Sequence, residues 1–377
     1  MKSKICDMLG IEFPLFAFSH CRDVVAAVSR AGGFGVLGAT GHTPASVHTE
    51  LKWIDEHVGG KPYGIDILVP ENMATAGEKG VTYNSLKTRI PQAHRDFAHD
   101  LLASAGVEEL TIEVSDDRPQ PFDPETALRT LEAAFEHPIK LIANALGVPP
   151  PQMIEMGKAH GVPVAALVGA KEHAIRQVNA GVDILVVQGT EAGGHCGEVT
   201  TMVLVPEVLQ AVRKIRDVPV LAAGGIMNGR QMAACMAMGA AGVWTGSVWL
   251  ATVESETSEI FRQKMIEASS RDAVRVKTRT GKPARQLRSA WTEAWERSPN
   301  SPGALPMPLM SLISEGALRS VNRAAEAGNP KARDMVTYFV GQGVGLIESV
   351  RSAGQVVQEF KEEFLEAIEA MNALLED

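Results

Sequence analysis

The stretch PVAALVGAKEHAIRQVNAGVDILVVQ (163–188) contains two apolar runs, 163–168 and 183–188, separated by an amphipathic segment that ends in Gly181. Runs that are continuously apolar, rather than alternating with polar residues, are typical of parallel strands buried on both faces. A glycine directly after an amphipathic segment is typical of a helix C-terminus. The stretch therefore predicts a strand–helix–strand unit of a parallel α/β sheet.

The same unit recurs along the chain and decides the fold class. Apolar runs predict eight strands, at 14–19, 34–39, 63–69, 139–145, 163–168, 183–188, 219–224 and 241–246. Eight buried strands that alternate with helices predict an α/β fold, a (β/α)8 TIM barrel. An open doubly wound sheet would give the same local pattern. The count of eight and the lack of GxGxxG after the first strand favour the barrel.

Two regions do not follow this repeat. Residues 71–135 form a long polar insertion between the third and fourth strands, and residues 255–345 are helical with a Pro-rich break, SPNSPGALPMPLM. We expect the barrel to consist of 1–70 and 136–254, and the other two regions to form a helical lid over one end. Residues 346–377 predict an amphipathic C-terminal helix on the outside.

Composition excludes several classes of protein. The 377 residues carry a formal net charge of −9, whereas a nucleic-acid binder usually presents a basic face. No apolar stretch approaches 18 residues and no signal peptide is evident, so we expect a cytoplasmic protein without a membrane span. The four cysteines are scattered without CxxC spacing, which argues against both a disulfide framework and a metal site.

Glycines follow the last two predicted strands. Gly224 and Gly225 end the seventh strand, and Thr245, Gly246 and Ser247 end the eighth. In a barrel these loops are neighbours at the C-terminal face, where phosphates commonly bind. Glycine lets backbone N–H groups approach an anion closely, and a helix N-terminus adds a favourable dipole. The pair of loops predicts a phosphate site, whereas either loop alone could be a simple turn.

The loop QGTEAGGHCGE (188–198) follows the sixth strand and opens onto the same face. Gln188 stands at the strand tip, where its amide could pair with a planar heterocycle. Gly193 and Gly194 allow a tight turn that presents His195, a residue suited to abstract a proton from carbon. Cys196 is interpreted as a packing residue. Two acids of this loop could orient the imidazole: Glu191 and Glu198.

Several segments together resemble the nitronate monooxygenase family, formerly called 2-nitropropane dioxygenases. They are QGTEAGGHCG, AAGGIMNGRQMAACMAMGAAGVWTGSVWLATVES, AGGFGVLGA, YGIDILVPE and YFVGQGVGLI, and they span about residues 30 to 345. The resemblance implies an FMN-binding TIM barrel with a lid and no dedicated nicotinamide domain. It also implies an oxidoreductase that acts on a small molecule with O2.

The resemblance assigns roles to individual residues. His195 would be the catalytic residue, Gln188 would contact the isoalloxazine ring, and Gln342 would return to the ring from the lid. The implied FMN-binding set is Ala17, Phe18, Asp66, Gln188, Gly193, Gly194, Gly224, Gly225, Trp244, Thr245, Gly246, Ser247 and Gln342.

The sequence departs from the family pattern near the expected substrate pocket. The family often has QAPM after the first strand, where this chain has FAFSHCRD, and Asp66 stands at the usual Asn of FGVN. Arg22 could pair with the Asp66 carboxylate. The segment IANALG after the fourth strand lacks the polar pattern of typical nitronate oxidisers. Candidate substrate-pocket residues are His20, Arg22 and Asn144.

The leading hypothesis is an FMN-dependent monooxygenase that converts alkyl nitronates and O2 to a carbonyl compound and nitrite. NAD(P)H:quinone reduction or flavin-dependent enoyl reduction on the same fold is the first alternative, with NAD(P)H as a transient reductant. A non-redox barrel enzyme or a silent sensor that binds a phosphorylated metabolite is a further alternative. A homo-oligomer is compatible with the sequence.

Overall fold

The computed structural model describes residues 1, 3–69, 78, 81–108 and 123–375. Parallel strands close into a barrel in the order β1-β2-β3-β4-β5-β6-β8-β9. These strands are β1 (Leu15–Ser19), β2 (Phe34–Gly38), β3 (Tyr63–Asp66), β4 (Ile142–Asn144), β5 (Val164–Val168), β6 (Ile184–Gln188), β8 (Val220–Ala223) and β9 (Gly242–Thr245). A separate sheet contains β7 (Gly194–His195), β10 (Ala273–Val276) and β11 (Ala284–Leu287).

Helices surround the barrel and build the region beyond it. Their bounds are α1 (Lys4–Leu9), α2 (Arg22–Arg30), α3 (Pro44–His57), α4 (Tyr83–Lys87), α5 (Gln92–Ser104), α6 (Pro124–Ala134), α7 (Pro151–His160), α8 (Lys171–Ala180), α9 (Thr201–Val212), α10 (Gly229–Ala237), α11 (Glu259–Glu267), α12 (Ala290–Arg297), α13 (Leu309–Glu326), α14 (Pro330–Met335) and α15 (Ala353–Ala373). Short 3₁₀ helices occupy Ser247–Ala251, Ser270–Asp272 and Gln342–Leu346. None of the helices in the described part of the chain is long and apolar enough to cross a membrane.

The predicted barrel is confirmed, and the open-sheet alternative is wrong. β1 pairs with β9 through Leu15–Val243, Phe16–Trp244 and Ala17–Thr245, which closes the sheet. Each predicted strand is present and somewhat shorter than predicted, the third and fourth most of all. The segment after β3 leaves the ladder, because the Val69 N–H donates to the side chain of Asn144 at 2.9 Å.

Strand alternation divides the core into an interior and an outer shell. Side chains that face the barrel axis form one apolar cluster, including Phe16, Phe34, Val36, Ile184 and Trp244. The intervening strand residues pack outward against the helices, as Tyr63 and Ile65 do on α3 and α6. The axis is therefore filled by side chains, so a ligand can only bind at an end of the barrel.

The remaining regions lie partly as predicted. The central helix of the opening stretch is α8, and Gly181 ends it in the left-handed conformation with φ +102°. In the predicted insertion, α6 packs against α3, and α5 packs against α13 of the predicted lid. Residues 71–77, 79–80 and 109–122 of the insertion lie outside the described residues. The exact domain boundaries stay a prediction.

The C-terminal helix begins at Ala353, later than the predicted start at 346, because Ser352 and Gln355 form a capping box there. The helix docks on α10 and α2, as expected for an outer helix. Phe360 is only 1% exposed, and Phe13 meets Phe364 edge-on at 5.7 Å.

Docking of α15 gives a first testable prediction. Phe360→Ala should lower the free energy of unfolding by about 3–5 kcal/mol, because it removes a buried aromatic ring and leaves a cavity. Leu365→Ala in the same helix should change it by less than about 0.5 kcal/mol, because Leu365 is 58% exposed. Urea unfolding followed by circular dichroism measures both. Equal effects of the two substitutions would contradict the docking.

Candidate functional site

The carboxyl ends of the barrel strands form one open end of the barrel, here called the mouth. Side chains alternate between the two faces of a strand, so only every second residue points toward the barrel axis and can reach this mouth. The last axis-facing positions of β1, β2, β3 and β6 are Phe18, Gly38, Asp66 and Gln188. Gln188 and Phe18 are partly exposed, whereas Asp66 is only 4% exposed. No described residue makes a hydrogen bond to the Gln188 amide. The mouth therefore combines a free amide, an aromatic ring and a carboxyl group.

The glycine loops after β8 and β9 present backbone donors at this mouth. In the described part of the chain, the backbone N–H groups of Gly224, Gly225, Gly246 and Ser247 have no hydrogen-bond acceptor. A Cβ on Gly246 would meet nothing within 4 Å, so open space adjoins this backbone. Ser247 begins the 3₁₀ helix Ser247–Ala251. Unpaired amides around an open space form a cradle suited to an anion.

Trp244 and Thr245, also predicted to bind cofactor, make contacts within the protein. The Trp244 ring lies nearly parallel to the rings of Phe16 and Phe18, with centroids 6.1 and 6.3 Å away. The Thr245 hydroxyl donates to the Phe16 carbonyl and accepts from the Trp249 indole, both at 2.9 Å. These two residues support the cradle from beneath, and their contact with a cofactor stays a prediction.

Ala17 belongs to the outer shell, because its fully buried side chain packs toward the helices. It can therefore reach the mouth only through its backbone.

Glu191 and Thr201 hold the loop after β6 to the loop after β8. The Glu191 carboxylate accepts from the Thr201 N–H at 3.0 Å, which caps α9, and also from the Thr201 hydroxyl at 3.0 Å. The same hydroxyl lies 3.0 Å from the Gly224 carbonyl. Glu191 is thus engaged in positioning the loops and does not orient His195. Thr201 was not predicted from the sequence, because nothing in the sequence shows that it contacts Glu191.

The segment around Gln342 reaches the mouth from the far end of the chain. The Gly341 N–H donates to the Ser247 hydroxyl oxygen at 2.8 Å, and the Gln342 N–H donates to the Glu191 carbonyl at 2.8 Å. A Cβ on Gly193 would stand 2.8 Å from the Gly341 nitrogen, so only glycine permits this approach. These backbone contacts bring Gln342 beside the loops that follow β6 and β9. Its contact with a cofactor is untested.

His195 lies on β7, which pairs with β11 so that His195 is opposite Ala284. Its Nε2 is 2.8 Å from the Thr280 hydroxyl oxygen. Burial, together with the positive charge of Lys282, lowers the pKa of His195 to about 4. The imidazole is therefore neutral at pH 7. Thr280 and Lys282 were missed because 85 residues separate Thr280 from His195.

Arginine side chains pack against the loop that follows β6 and carries His195. Arg285 is 7% exposed, and its guanidinium donates to the carbonyls of Thr190 at 2.9 Å and Ala273 at 2.6 Å. Glu198 is paired with Arg275 at 3.5 Å, so neither proposed acid orients His195. The frequent basic residues of the segment 271–288 were the available signal in the sequence for these cations.

The predicted pair of Arg22 and Asp66 is wrong. Arg22 lies 3.4 Å from the Glu50 carboxylate and stacks over the Trp53 ring at 4.7 Å. Asp66 forms no hydrogen bond or ion pair with any described residue through its carboxyl group. Burial alone raises the pKa of Asp66 to about 7.

His20 and Asn144, the other predicted substrate-pocket residues, differ in whether a ligand could reach their side chains. His20 Nδ1 lies 2.8 Å from the Gly38 carbonyl oxygen, and its ring meets Phe18 edge-on at the mouth. Desolvation by the surrounding protein lowers the pKa of His20. Asn144 is fully buried and uses its amide on the Val69 N–H and the Gly147 carbonyl. Asn144 thus shapes the wall, whereas His20 has an exposed face.

Comparisons with known proteins agree with this arrangement. The family model described as nitronate monooxygenase matches residues 2–363. A Mycobacterium tuberculosis protein with a provisional monooxygenase name, Rv1533, is 50% identical with the whole of both chains aligned.

Solved structures give the same picture. A nitroalkane oxidase from Streptomyces ansochromogenes is 25% identical, with a TM-score of 0.77 over 97% of this chain and 99% of that one. FabK from Thermotoga maritima is 25% identical, with a TM-score of 0.72 over 99% of each chain.

The His195 environment gives a second prediction. In ¹⁵N-histidine NMR spectra, His195 should stay neutral from pH 5 to pH 8, because burial and Lys282 both disfavour the imidazolium. Thr280→Val should shift the Nε2 resonance by removing its hydrogen bond, and Thr280→Ser should keep it. Titration of His195 near its ordinary pKa of about 6.5 would contradict this environment.

Proposed function

The chain belongs to the nitronate monooxygenase family of flavin-dependent oxidoreductases, and we propose that it binds FMN and oxidises alkyl nitronates with O2 to a carbonyl compound and nitrite. This proposal rests on one observation above the others: a neutral His195 lies beside the cationic Lys282 at the barrel mouth. A nitronate is an anion formed by removal of a proton from carbon, and this pair of residues suits both its formation and its binding.

His195 can accept the α-proton of a nitroalkane at a ring nitrogen. A base with a pKa of about 4 is weak in the empty site, because burial disfavours the imidazolium. The transfer would create a nitronate anion beside the new imidazolium, and their attraction in a partly desolvated site offsets that penalty. Lys282 would favour the same anion. A substrate that arrives already ionised would not need the base.

The glycine cradle fits the phosphate of FMN. The unpaired amides of Gly224, Gly225, Gly246 and Ser247 could hold the phosphate oxygens, and Gln188 could pair with the polar edge of the ring. When bound, FMN supplies the redox chemistry by accepting electrons from the substrate and passing them to O2. The protein contributes binding, orientation and the handling of protons.

Reduction of a quinone or an enoyl group by NAD(P)H is the second candidate. Similarity to FabK extends over the whole chain, so the fold by itself does not separate this activity from nitronate oxidation. The choice therefore depends on which compound reduces the flavin.

Anaerobic absorption spectra test this choice. Ethyl nitronate alone should bleach the flavin bands of the purified protein, and NADH or NADPH alone should not. His195→Asn should lower kcat/KM for neutral nitroethane by about 10²–10⁴-fold, because the base is lost, and should largely preserve oxidation of the nitronate. Bleaching by a nicotinamide only would favour the reductase instead.

The cradle can be tested separately from the chemistry. Gly246→Ala should leave the free energy of unfolding within about 0.5 kcal/mol of wild type, because its methyl group would meet no protein atom within 4 Å. The same methyl group should weaken FMN binding about tenfold or more, because it enters the space predicted for the phosphate. Flavin fluorescence titration measures the Kd. Unchanged FMN affinity would place the phosphate elsewhere.

A further inference from the structure

Asp66 is the only ionisable side chain on the axis-facing positions of the eight barrel strands, all of which the structure describes. Its neighbours in the strand, Tyr63 and Ile65, pack outward on the helices, so alternation directs Asp66 toward the axis. The other axis-facing positions are apolar apart from the Gln188 amide. A carboxyl group at this place has no role in holding the barrel together.

The Asp66 carboxyl group lies in a nearly buried position. Asp66 is 4% exposed and has no ion pair or side-chain hydrogen bond with the described residues. A buried polar group is normally hydrogen-bonded, since leaving it unpaired costs about 1–3 kcal/mol. Such a group at the edge of a ligand site points to a partner that arrives with the ligand.

Asp66 lies on the opposite side of the barrel mouth from the predicted phosphate site. In the closed order β1-β2-β3-β4-β5-β6-β8-β9, β3 lies directly across the mouth from β8, which carries Gly224 and Gly225. A ligand anchored by a phosphate at β8 and β9 extends across the mouth toward β3. The group that reaches Asp66 is therefore the end of the ligand away from its phosphate.

We propose that Asp66 donates a hydrogen bond from its protonated carboxyl group to an acceptor atom of the FMN ring system, and that ionisation of Asp66 weakens FMN binding. The polar edge of that ring system carries carbonyl oxygens and imine nitrogens, which accept hydrogen bonds, together with one N–H group, which donates. A carboxylate can only accept, so the ionised form would face the acceptor atoms of this edge with like polarity. This inference rests on the proposed binding of FMN.

The surroundings of Asp66 favour its neutral form. Burial is the cause that raises its pKa to about 7, without an opposing charge. β2 presents Gly38 to it and β4 presents the uncharged Ala143 and Asn144. The described titratable groups nearest this wall are His20, held on the Gly38 carbonyl, and His42, which acts on His20. Glu71 lies outside the described residues.

The direction of the pH dependence follows from this. Binding that requires protonated Asp66 is complete below its pKa and falls by up to tenfold per pH unit above it. A change in FMN affinity between pH 6.5 and pH 8.5 therefore reports the ionisation of Asp66. His20 and His195 have pKa values lowered from 6.5, so the midpoint of each titration lies below that window.

The test is the Kd for FMN from pH 6.5 to 8.5 in wild type and in Asp66→Asn, whose amide keeps the shape and a donor at every pH. Wild-type affinity should fall relative to that of Asp66→Asn as the pH rises, with the ratio changing about tenfold or more. The ratio cancels the ionisation of the FMN phosphate, which both proteins share. Asp66→Ala, which lacks a donor, should bind FMN more weakly than wild type at pH 6.5.

Several results would overturn this role. A ratio that stays constant with pH, while both proteins bind FMN, would refute the Asp66 proposal and leave the proposed function standing. Failure of both proteins to bind FMN at any pH would refute the proposed function itself. Infrared spectra give an independent reading, since the band of a protonated carboxyl group at pH 6.5 should disappear in Asp66→Asn. Its persistence in that variant would also contradict the proposal.

Discussion

Closure of eight parallel strands around an apolar axis is the constraint on which the rest of the molecule depends. Phe16, Phe34, Val186 and Trp244 fill the interior, so no ligand can pass through the barrel. Parallel strands end on the same side, and every loop that follows a strand opens at one mouth. Polar chemistry is therefore concentrated there, in the glycine loops, in His195 and in Asp66.

The second requirement is that the mouth be held rigid by residues distant in sequence. Thr201 connects the loops after β6 and β8, and Gly341 connects the loop after β9 to the late segment that carries Gln342. β11 then pairs with β7 and fixes the backbone of His195. These contacts determine where the imidazole lies before any substrate arrives, which is the condition for efficient proton transfer.

The barrel could be predicted from the sequence, because each of its strands and helices leaves a pattern in a short segment of the chain. A buried parallel strand is a short apolar run, and eight such runs with helices between them leave few architectures. The glycine loops and His195 could be found for the same reason, since each lies directly after a strand. Contacts between distant segments could not be found. Nothing in the sequence connects His195 with Thr280, and Arg22 binds Glu50 instead of the buried Asp66 because α2 packs beside α3.

A crystal structure of the protein with FMN tests the central claim most directly. The account predicts the phosphate on the backbone amides of Gly224, Gly225, Gly246 and Ser247, and the ring over the mouth between Gln188 and Asp66. A phosphate bound away from these amides, or a flavin outside the barrel mouth, would contradict it.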